Sequence, residues 1–235
     1  MHKYRLKPMP VQVSPQILQQ LKNISTATIG HFYPWGFMSA ALRRLHPVKR
    51  VVGTAVTLTI PGADSTLLHH VIGLVRAGDF LVIDRHGDRR HACWGGGVTR
   101  AAVNAGLAGA AIDGLCTDPE EILEMGFPIW SLGVSALTTR LSDLGGRFNE
   151  PVSCGGIAVC PGDVVIADEN GVVAIPADDA ESIIDTAIQL EKEIVKGENR
   201  LDAGERLGVV YGASALVRRE LENDAQAIHK PAHSE

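Results

Sequence analysis

The sequence predicts an α/β protein with a parallel βαβ centre followed by an antiparallel hairpin region. Two observations favour this class. From residue 50 to residue 133, β-branched strand segments alternate with helical segments, as at Arg50–Ile60 and Thr66–Arg76. Beyond Pro151, short apolar segments are separated only by turn residues such as Asn170 and Gly171, which is typical of hairpins.

Composition and charge narrow the class of protein further. The chain has 235 residues, of which 45% are hydrophobic and 21% are charged, and its net charge is −5. These values are ordinary for a globular protein and argue against a nucleic-acid partner, which would need a concentrated basic face. No apolar run is long enough to span a membrane and no apolar leader core opens the chain, so we expect a cytoplasmic protein without a membrane partner.

The cysteines indicate reduced thiols rather than a metal site. They form no CxxC pair, which makes structural zinc improbable. In a cytoplasmic protein, free thiols are expected. The four are Cys93, Cys116, Cys154 and Cys160.

No linker composition interrupts the chain, and we therefore predict one domain over residues 1–235. Residues 1–14 are expected to form an N-terminal arm, because two prolines discourage regular structure there. Residues 177–235 are expected to form a C-terminal helical extension, since apolar residues recur there at helical spacing.

The stretch Asp84–Pro128 is the centre of the functional prediction. It contains strand end, glycine-rich loop, helix, strand, second loop and helix; the loops are Trp94–Gly97 and Asp113–Asp118. If the two strands are parallel neighbours, both loops leave one sheet edge, where open α/β sheets bind ligands. Two helix N-termini would then point at one crevice that suits a small anion.

Asp118 has two interpretations. The run Thr117-Asp118-Pro119-Glu120-Glu121 is a helix start, with aspartate or threonine as cap, proline at the first helical position and Glu121 completing a capping box. The same carboxylate can instead anchor a metal ion beside the crevice. Spacing alone favours the cap.

The glycine loop also has two interpretations. Glycines let a ligand approach the backbone, and they also serve any tight turn from strand to helix. The loop is neither a P-loop nor a GxGxxG fingerprint.

A nucleophilic mechanism is less well supported. There is no GxSxG motif. Cys93 or Cys116 near His91 is a candidate nucleophile, but a buried, inert thiol is the commoner fate. His69 and His70 are adjacent on one predicted helix, so they are not expected to face the same ion.

Taken together and in order, several motifs resemble those of the RraA-like family, which contains the regulator of ribonuclease E activity and the class II aldolases for 4-hydroxy-4-methyl-2-oxoglutarate. The resemblance runs from about Ile24 to Pro176. The motifs that carry it are Val52–Thr57, Leu68–Ile72, Ala77–Asp79, Trp94–Gly96, Gly106–Gly114, Cys160–Asp163 and Asp168–Val172.

This resemblance implies a swivelling β/β/α fold and a homotrimer or homohexamer with sites between subunits. In the aldolases a divalent ion, usually Mg²⁺ with Mn²⁺ as an alternative, is held largely through waters and the aspartate that matches Asp118. Pyruvate's carboxylate is bound by amides matching Gly95, Gly96, Gly97 and Val98, and by an arginine just before that aspartate. The ion stabilises a pyruvate enolate.

The sequence departs from the aldolase pattern at two positions. Thr117 stands where the family has arginine, and Gly96 stands where an acidic residue is often found. Threonine cannot replace a bidentate guanidinium contact to a carboxylate. The candidates for a replacing cation are Arg85, Arg89, Arg90 and Arg100. Glu191 and Glu193 are the candidates for a helix glutamate donated by a neighbouring subunit, with solvated surface charges as the alternative.

Two functional hypotheses follow. The first is a divalent-metal-dependent carbon–carbon lyase for a small 2-oxo acid, acting by retro-aldol cleavage or decarboxylation. In it Asp118 anchors the metal, the amides of Gly95–Val98 bind the substrate anion, and Thr117 hydrogen-bonds it. The second is a non-catalytic regulator that binds a ribonuclease or helicase. A methyltransferase is not supported, because no glycine-rich S-adenosylmethionine loop with a downstream acid is present.

Overall fold

The structure is a computed structural model that describes residues 2–228, with side chains described up to residue 222. The chain forms two compact units, Met1–Asp185 and Thr186–Glu235. The ends of the predicted arm and extension, residue 1 and residues 229–235, lie outside the described residues.

The first unit contains all the described strands and most of the helices. The helices are α1 (Pro15–Leu21), α2 (Thr26–Gly30), α3 (Thr66–Val71), α4 (Gly96–Ala105), α5 (Pro119–Glu124) and the start of α6 (Ala180–Asp202), which follows a 3-10 turn at Ala177–Asp179. The strands are β1 (Tyr4–Leu6), β2 (Arg43–Arg44), β3 (Val51–Thr59), β4 (Asp79–Asp84), β5 (Ala92–Trp94), β6 (Gly109–Cys116), β7 (Ile129–Val134), β8 (Gly146–Phe148), β9 (Val152–Cys154), β10 (Ile157–Val159), β11 (Val164–Ala167) and β12 (Val172–Ile175).

The second unit is helical. It contains the remainder of α6, the short α7 (Leu207–Val210) and α8 (Ala213–Ile228). Within residues 2–228, no helix combines the length and the apolar character needed to cross a membrane.

The main sheet has a parallel centre with antiparallel additions. Its strand order is β1-β8-β3-β4-β6-β7-β2, and β3, β4, β6 and β7 are parallel neighbours. The strands β11 and β12 add an antiparallel hairpin beside β3, while β9 and β10 form a separate hairpin. The predicted fold class, a parallel βαβ core with an antiparallel hairpin region, is confirmed.

Alternating side chains of the central strands fill two apolar layers, one on each face of the sheet. On one face, Leu58, Leu81 and Ile112 belong to a cluster with residues of α3, α4 and α5. On the other face, Ala55, Phe80 and Ala111 belong to a cluster with the hairpin strands. Because successive residues of a strand point to opposite faces, a central strand buried on both sides must be apolar throughout. The first unit therefore has three layers, in which the central strands lie between the hairpins on one face and the helices on the other.

Several predicted boundaries differ from the structure. The helix expected over Thr66–Arg76 ends at Val71. Beyond it, Gly73 N and Leu74 N donate to the carbonyl oxygens three residues earlier, His70 O and Val71 O, instead of four residues earlier as in an α-helix. A strand, β1, forms inside the predicted arm by pairing in parallel with β8. That partner, β8, lies in the stretch Leu141–Pro151, whose glycines and polar residues favour a loop over a strand.

A buried aspartate joins the start of α2 to the end of β11. The carboxylate of Asp168 is fully buried and accepts hydrogen bonds from Thr26 N, Thr26 Oγ1 and Asn170 N at 2.9, 2.6 and 2.9 Å. Arg50 Nε adds an ion pair at 3.2 Å. Burial alone would raise the pKa of Asp168, but these donors outweigh it and leave the pKa below its ordinary value.

Replacing Asp168 with alanine is expected to lower the free energy of unfolding by about 3 kcal/mol or more, because buried donors lose their acceptor. Asp84→Ala is the matched control: this aspartate ends β4, and among the described residues its carboxylate accepts one hydrogen bond, from His86 N at 2.7 Å, so the expected loss is about 1 kcal/mol. Urea unfolding at neutral pH measures both values. Equal losses in the two variants would contradict the assignment.

The lowered pKa of Asp168 predicts how the stability of the protein changes in acid. Since the folded pKa lies below the ordinary value of 3.8, the contribution of Asp168 is present above that value and is lost as the pH falls below it. Asp168→Ala should therefore show a shallower loss of stability between neutral and acidic pH than the wild type.

Candidate functional site

The two predicted loops leave the same edge of the sheet. Strand β5 pairs in parallel with β6, with Ala92 opposite Leu115 and Trp94 opposite Cys116. Chain continuation then brings Gly95 and Thr117 side by side, and Thr117 N donates to Trp94 O at 2.8 Å. The crevice expected at this edge is therefore present.

Strands β4 and β5 pair with successive parts of β6, one after the other along the same side of that strand. The pairing of β4 with β6 ends at Asp113, and that of β5 begins at Leu115. Between β4 and β5, Asp88 organises the connecting loop by accepting bonds from Arg90 N, His91 N and His91 Nδ1 at 2.9, 2.7 and 2.8 Å. Burial opposes its ionisation, but the donors prevail and lower the pKa of Asp88 to about 2.

Asp118 occupies the N-cap position of α5 without capping it. Its backbone has a left-handed φ of 54°, and its side chain makes no hydrogen bond to its own helix. Instead, Oδ2 accepts from Gly96 N, the first residue of α4, at 2.9 Å. The helix start at Pro119 was predicted correctly, but the side-chain cap and capping box were wrong, because the left-handed turn directs the carboxylate to the neighbouring helix.

The hydroxyl of Thr117 points at the same carboxylate. Thr117 Oγ1 donates to Asp118 Oδ1 at 3.2 Å. A hydroxyl has a single proton, so in this arrangement Thr117 presents only lone pairs to a ligand. It therefore supports the carboxylate of Asp118 better than it would bind a second anion.

Side chains of the protein itself lie close against the first two glycines of the loop. A Cβ on Gly95 would lie 2.5 Å from Asp118 Oδ2 and 2.8 Å from Thr117 Cγ2. A Cβ on Gly96 would lie 2.1 Å from Glu121 Oε2. From the sequence, these glycines were explained by a ligand contact or by a tight turn. The carboxylates that pack against them were not predicted.

The free amides at this edge come from one helix. Gly96 N is engaged by Asp118, while Gly97 N and Val98 N lie in the first turn of α4, where amides have no partner within the helix. The start of α5 offers much less to an anion, because Pro119 lacks an N–H and the first turn carries Glu120 and Glu121. Of the two helix N-termini expected at this edge, α4 alone therefore offers free amides.

A cavity of about 470 Å³ opens between these loops and α3. It is lined by all the residues predicted for the site, namely Gly95, Gly96, Gly97, Val98, Thr117 and Asp118. Polar residues that were not predicted also line it: Ser65, His69, Thr138 and Thr139. The spacing of Ser65, His69 and Ile72 places them on one face of a helix, a signal that was available in the sequence.

None of the four arginines proposed to replace the family's arginine lines this cavity. Arg85 is fully buried and donates to the carbonyl oxygen of Gly62. Arg89 binds Asp113 through both its carbonyl and its carboxylate, at 2.8 and 2.9 Å. Among the described residues, the cavity lining contains no lysine or arginine.

Burial disfavours both candidate cysteines, Cys93 and Cys116, as nucleophiles. Burial raises the pKa of Cys93 to about 11, and burial also raises the pKa of Cys116, whose Sγ contacts Ser131 Oγ and Gly133 O at 3.3 Å. The thiolate is the reactive form of cysteine, so these thiols are inert at neutral pH. His91 is held by Asp88 instead.

The donor set at Asp118 fits a divalent ion held mainly by water. Each carboxylate oxygen accepts one hydrogen bond and keeps a further lone pair. Within the described part of the chain, no cluster of three or more His, Cys, Asp or Glu side chains is arranged to hold a metal. A hard ion such as Mg²⁺ or Mn²⁺ tolerates one carboxylate and several waters, whereas structural zinc needs four protein ligands.

The fold and the cleft define an α/β protein of three layers, with a small polar site at the carboxyl ends of two paired parallel strands. The family model described as "RraA-like: Aldolase/RraA" matches residues 26–174, and the chain belongs to this family.

Relatives in this family carry two kinds of name. The chain is 30% identical over 150 residues to a putative 4-hydroxy-4-methyl-2-oxoglutarate aldolase of Halalkalibacterium halodurans, covering 64% of this chain and 71% of that protein. It is also 30% identical to the 4-hydroxy-4-methyl-2-oxoglutarate aldolase of Thermus thermophilus, covering 64% and 92%. The structure of Streptomyces coelicolor RraAS2, described as an unusual member of the RNase ES inhibitor RraA protein family, matches with a TM-score of 0.72 and 30% identity, covering 80% and 98%.

Proposed function

We propose that this protein is a divalent-metal-dependent carbon–carbon lyase for a small 2-oxo acid. The observation that carries the proposal is the position of Asp118. Its exposed carboxylate is released from helix capping, faces a polar cavity and lies beside the free first-turn amides of α4. The names of the aldolase relatives support the same reaction class.

The residues of the two loops have distinct roles in this proposal. The amides of Gly97 and Val98 bind the carboxylate of the 2-oxo acid at the positive end of α4. Asp118 holds Mg²⁺ or Mn²⁺, and Thr117 and Gly96 N fix the orientation of its carboxylate. When bound, the ion supplies positive charge that offsets the negative charge developing on the keto oxygen as the carbon–carbon bond breaks.

The location and assembly are also part of the proposal. A cytoplasmic location is supported by the four free cysteines. A homotrimer or homohexamer is implied by the resemblance, with sites completed between subunits.

The purified protein with Mg²⁺ or Mn²⁺ is expected to release pyruvate from 4-hydroxy-4-methyl-2-oxoglutarate or from oxaloacetate. Coupling pyruvate to lactate dehydrogenase measures the rate. A protein-free sample with the same metal gives the background, and EDTA should return the rate to that background. Absence of turnover above background with both substrates and both metals would refute the proposal.

A second candidate function is a non-catalytic regulator that binds a ribonuclease or helicase. It is favoured by the absence of lysine and arginine among the described residues of the cavity lining, where a pyruvate aldolase of this family has arginine. The name of the Streptomyces relative points the same way. Co-purification with a ribonuclease or helicase, without metal-dependent turnover, would favour this candidate over the lyase.

A further inference from the structure

Among the described polar residues that line the cleft, one side chain has a nitrogen donor. Its polar lining consists of Ser65, His69, Thr117, Asp118, Thr138 and Thr139, together with the backbone of the glycine loop. Five of these side chains are neutral or negative at neutral pH. Among the described polar residues of the lining, a carboxylate would therefore find a side-chain N–H donor only at His69.

His69 belongs to a face of α3 that is turned to the cleft. His69 N donates to Ser65 O at 3.0 Å, which fixes the helical spacing between the two residues. Ile72, one turn further on, completes the face. The residue is exposed, and its ring has no hydrogen-bond or ion-pair partner among the described residues. The imidazole is therefore available to a ligand.

The neighbouring His70 lies on a different face of α3. One position along a helix is a rotation of about 100°, and His70 lines a separate cavity with Thr66 and Leu67. Both histidines are exposed and lie in the last turn of the same helix. The sequence expectation that they do not face one site is confirmed, and His70 offers a matched control for His69.

We propose that His69 is the side chain that binds the carboxylate of the 2-oxo acid, in the role that Thr117 cannot fill. This inference rests on the proposed function. The carboxylate of the 2-oxo acid would lie between the α4 amides and the imidazole, since both line the same cavity. The hydroxyl of Thr117 is not available to it as a donor, because it donates to Asp118. His69 is then a substrate-binding residue supplied by a wall of the cleft different from the one that carries Thr117.

The test uses oxalate, a stable carboxylate analogue of a 2-oxo acid, with the full-length protein in the presence of Mg²⁺. Isothermal titration calorimetry compares the wild type with His69→Ala, His70→Ala and His69→Arg. Losing one charge-assisted contact should weaken oxalate binding by about tenfold or more in His69→Ala. His70→Ala should bind within about twofold of the wild type, and His69→Arg should keep oxalate binding because its guanidinium places N–H donors on the same wall.

Folding is monitored by thermal unfolding of each variant. Equal oxalate affinity in His69→Ala and wild type would overturn the inference, as would weakening by the same factor in His70→Ala. Wild-type protein that binds no oxalate would also overturn it.

Turnover separates this inference from the proposed lyase activity. If the wild type releases pyruvate and His69→Ala raises KM with kcat largely retained, both proposals are supported. If no turnover is found but oxalate binding depends on His69, the lyase proposal fails and the binding site stands. If turnover is found with an unchanged KM in His69→Ala, the lyase proposal stands and the role of His69 is refuted.

Discussion

Asp118→Asn is expected to lower pyruvate release by about 100-fold or more, because it removes the negative charge that we propose to hold the divalent ion. The substitution is chosen to keep the local structure. Asparagine tolerates the left-handed φ of 54° as well as aspartate does, and its side-chain oxygen can still accept from Gly96 N. Mn²⁺ binding measured by electron paramagnetic resonance should weaken in parallel.

Glu120→Gln provides the control for charge. Glu120 is exposed in the first turn of α5, two residues away, and its replacement changes the net charge by the same amount. It is expected to keep turnover and Mn²⁺ affinity within about twofold of the wild type, because exposed charges this far from a bound ion are screened by salt. Turnover of Asp118→Asn that matches Glu120→Gln would show that Asp118 does not anchor the ion.

Asp118→Ala separates the charge from the geometry. Alanine at a left-handed φ costs about 1–2 kcal/mol, and Gly96 N loses its acceptor as well. We therefore expect Asp118→Ala to lose both activity and thermal stability, whereas Asp118→Asn loses activity alone.

Gly95→Ala is expected to reduce turnover strongly without unfolding the protein. The new Cβ would lie 2.5 Å from Asp118 Oδ2, so the carboxylate must move by about 1 Å to reach ordinary contact distance. A displacement of that size in a reacting site costs on the order of 100-fold in rate. The backbone of Gly95 is extended, with φ −150°, so alanine adds no strain of its own.

The control for Gly95→Ala is Gly73→Ala, just beyond α3. A Cβ there would lie 3.6 Å from His70 O, which is ordinary contact. Turnover of this variant should match the wild type, and the free energy of unfolding should change by less than about 1 kcal/mol. If Gly95→Ala retains wild-type turnover, the close packing of Asp118 against the glycine loop does not matter for activity.

The parts of the fold that follow from local chemistry were predictable from the sequence. Ser14 and Ser25 both cap helices, with side chains that accept from Ile17 N and Thr28 N. The buried central strand Val51–Thr59 is apolar or β-branched nearly throughout, as a strand covered on both faces must be. These features depend on residues close together in the chain, so a single sequence is enough to find them.

Features that depend on distant pairing were not predictable. Strand β8 exists because Phe148 lies opposite both Leu6 and Leu58, and neither partner is near it in sequence. Thr138 reaches the cleft because it bridges to Ala92, 46 positions earlier in the chain.

The site itself was predictable in position but not in detail. The two loops and Asp118 follow from the βαβ pattern and the family resemblance. The left-handed backbone at residue 118 could not be seen in the sequence, because Asp118-Pro119 matches an ordinary helix start. The backbone torsion at residue 118 decides whether the carboxylate caps α5 or accepts from Gly96 N at the start of α4. The resemblance alone suggested that Thr117 stands where the family has arginine, but the position of His69 in the lining of the same cavity needed the structure.

The backbone at residue 118 has an evolutionary consequence. Besides aspartate, a left-handed φ is readily tolerated by asparagine and glycine. Codons for both are one nucleotide substitution away from those for aspartate. A single mutational step can therefore remove the carboxylate that we propose to hold the metal and leave the backbone conformation at residue 118 intact. The fold places few structural barriers between a lyase and a binding protein, and its relatives carry names of both kinds.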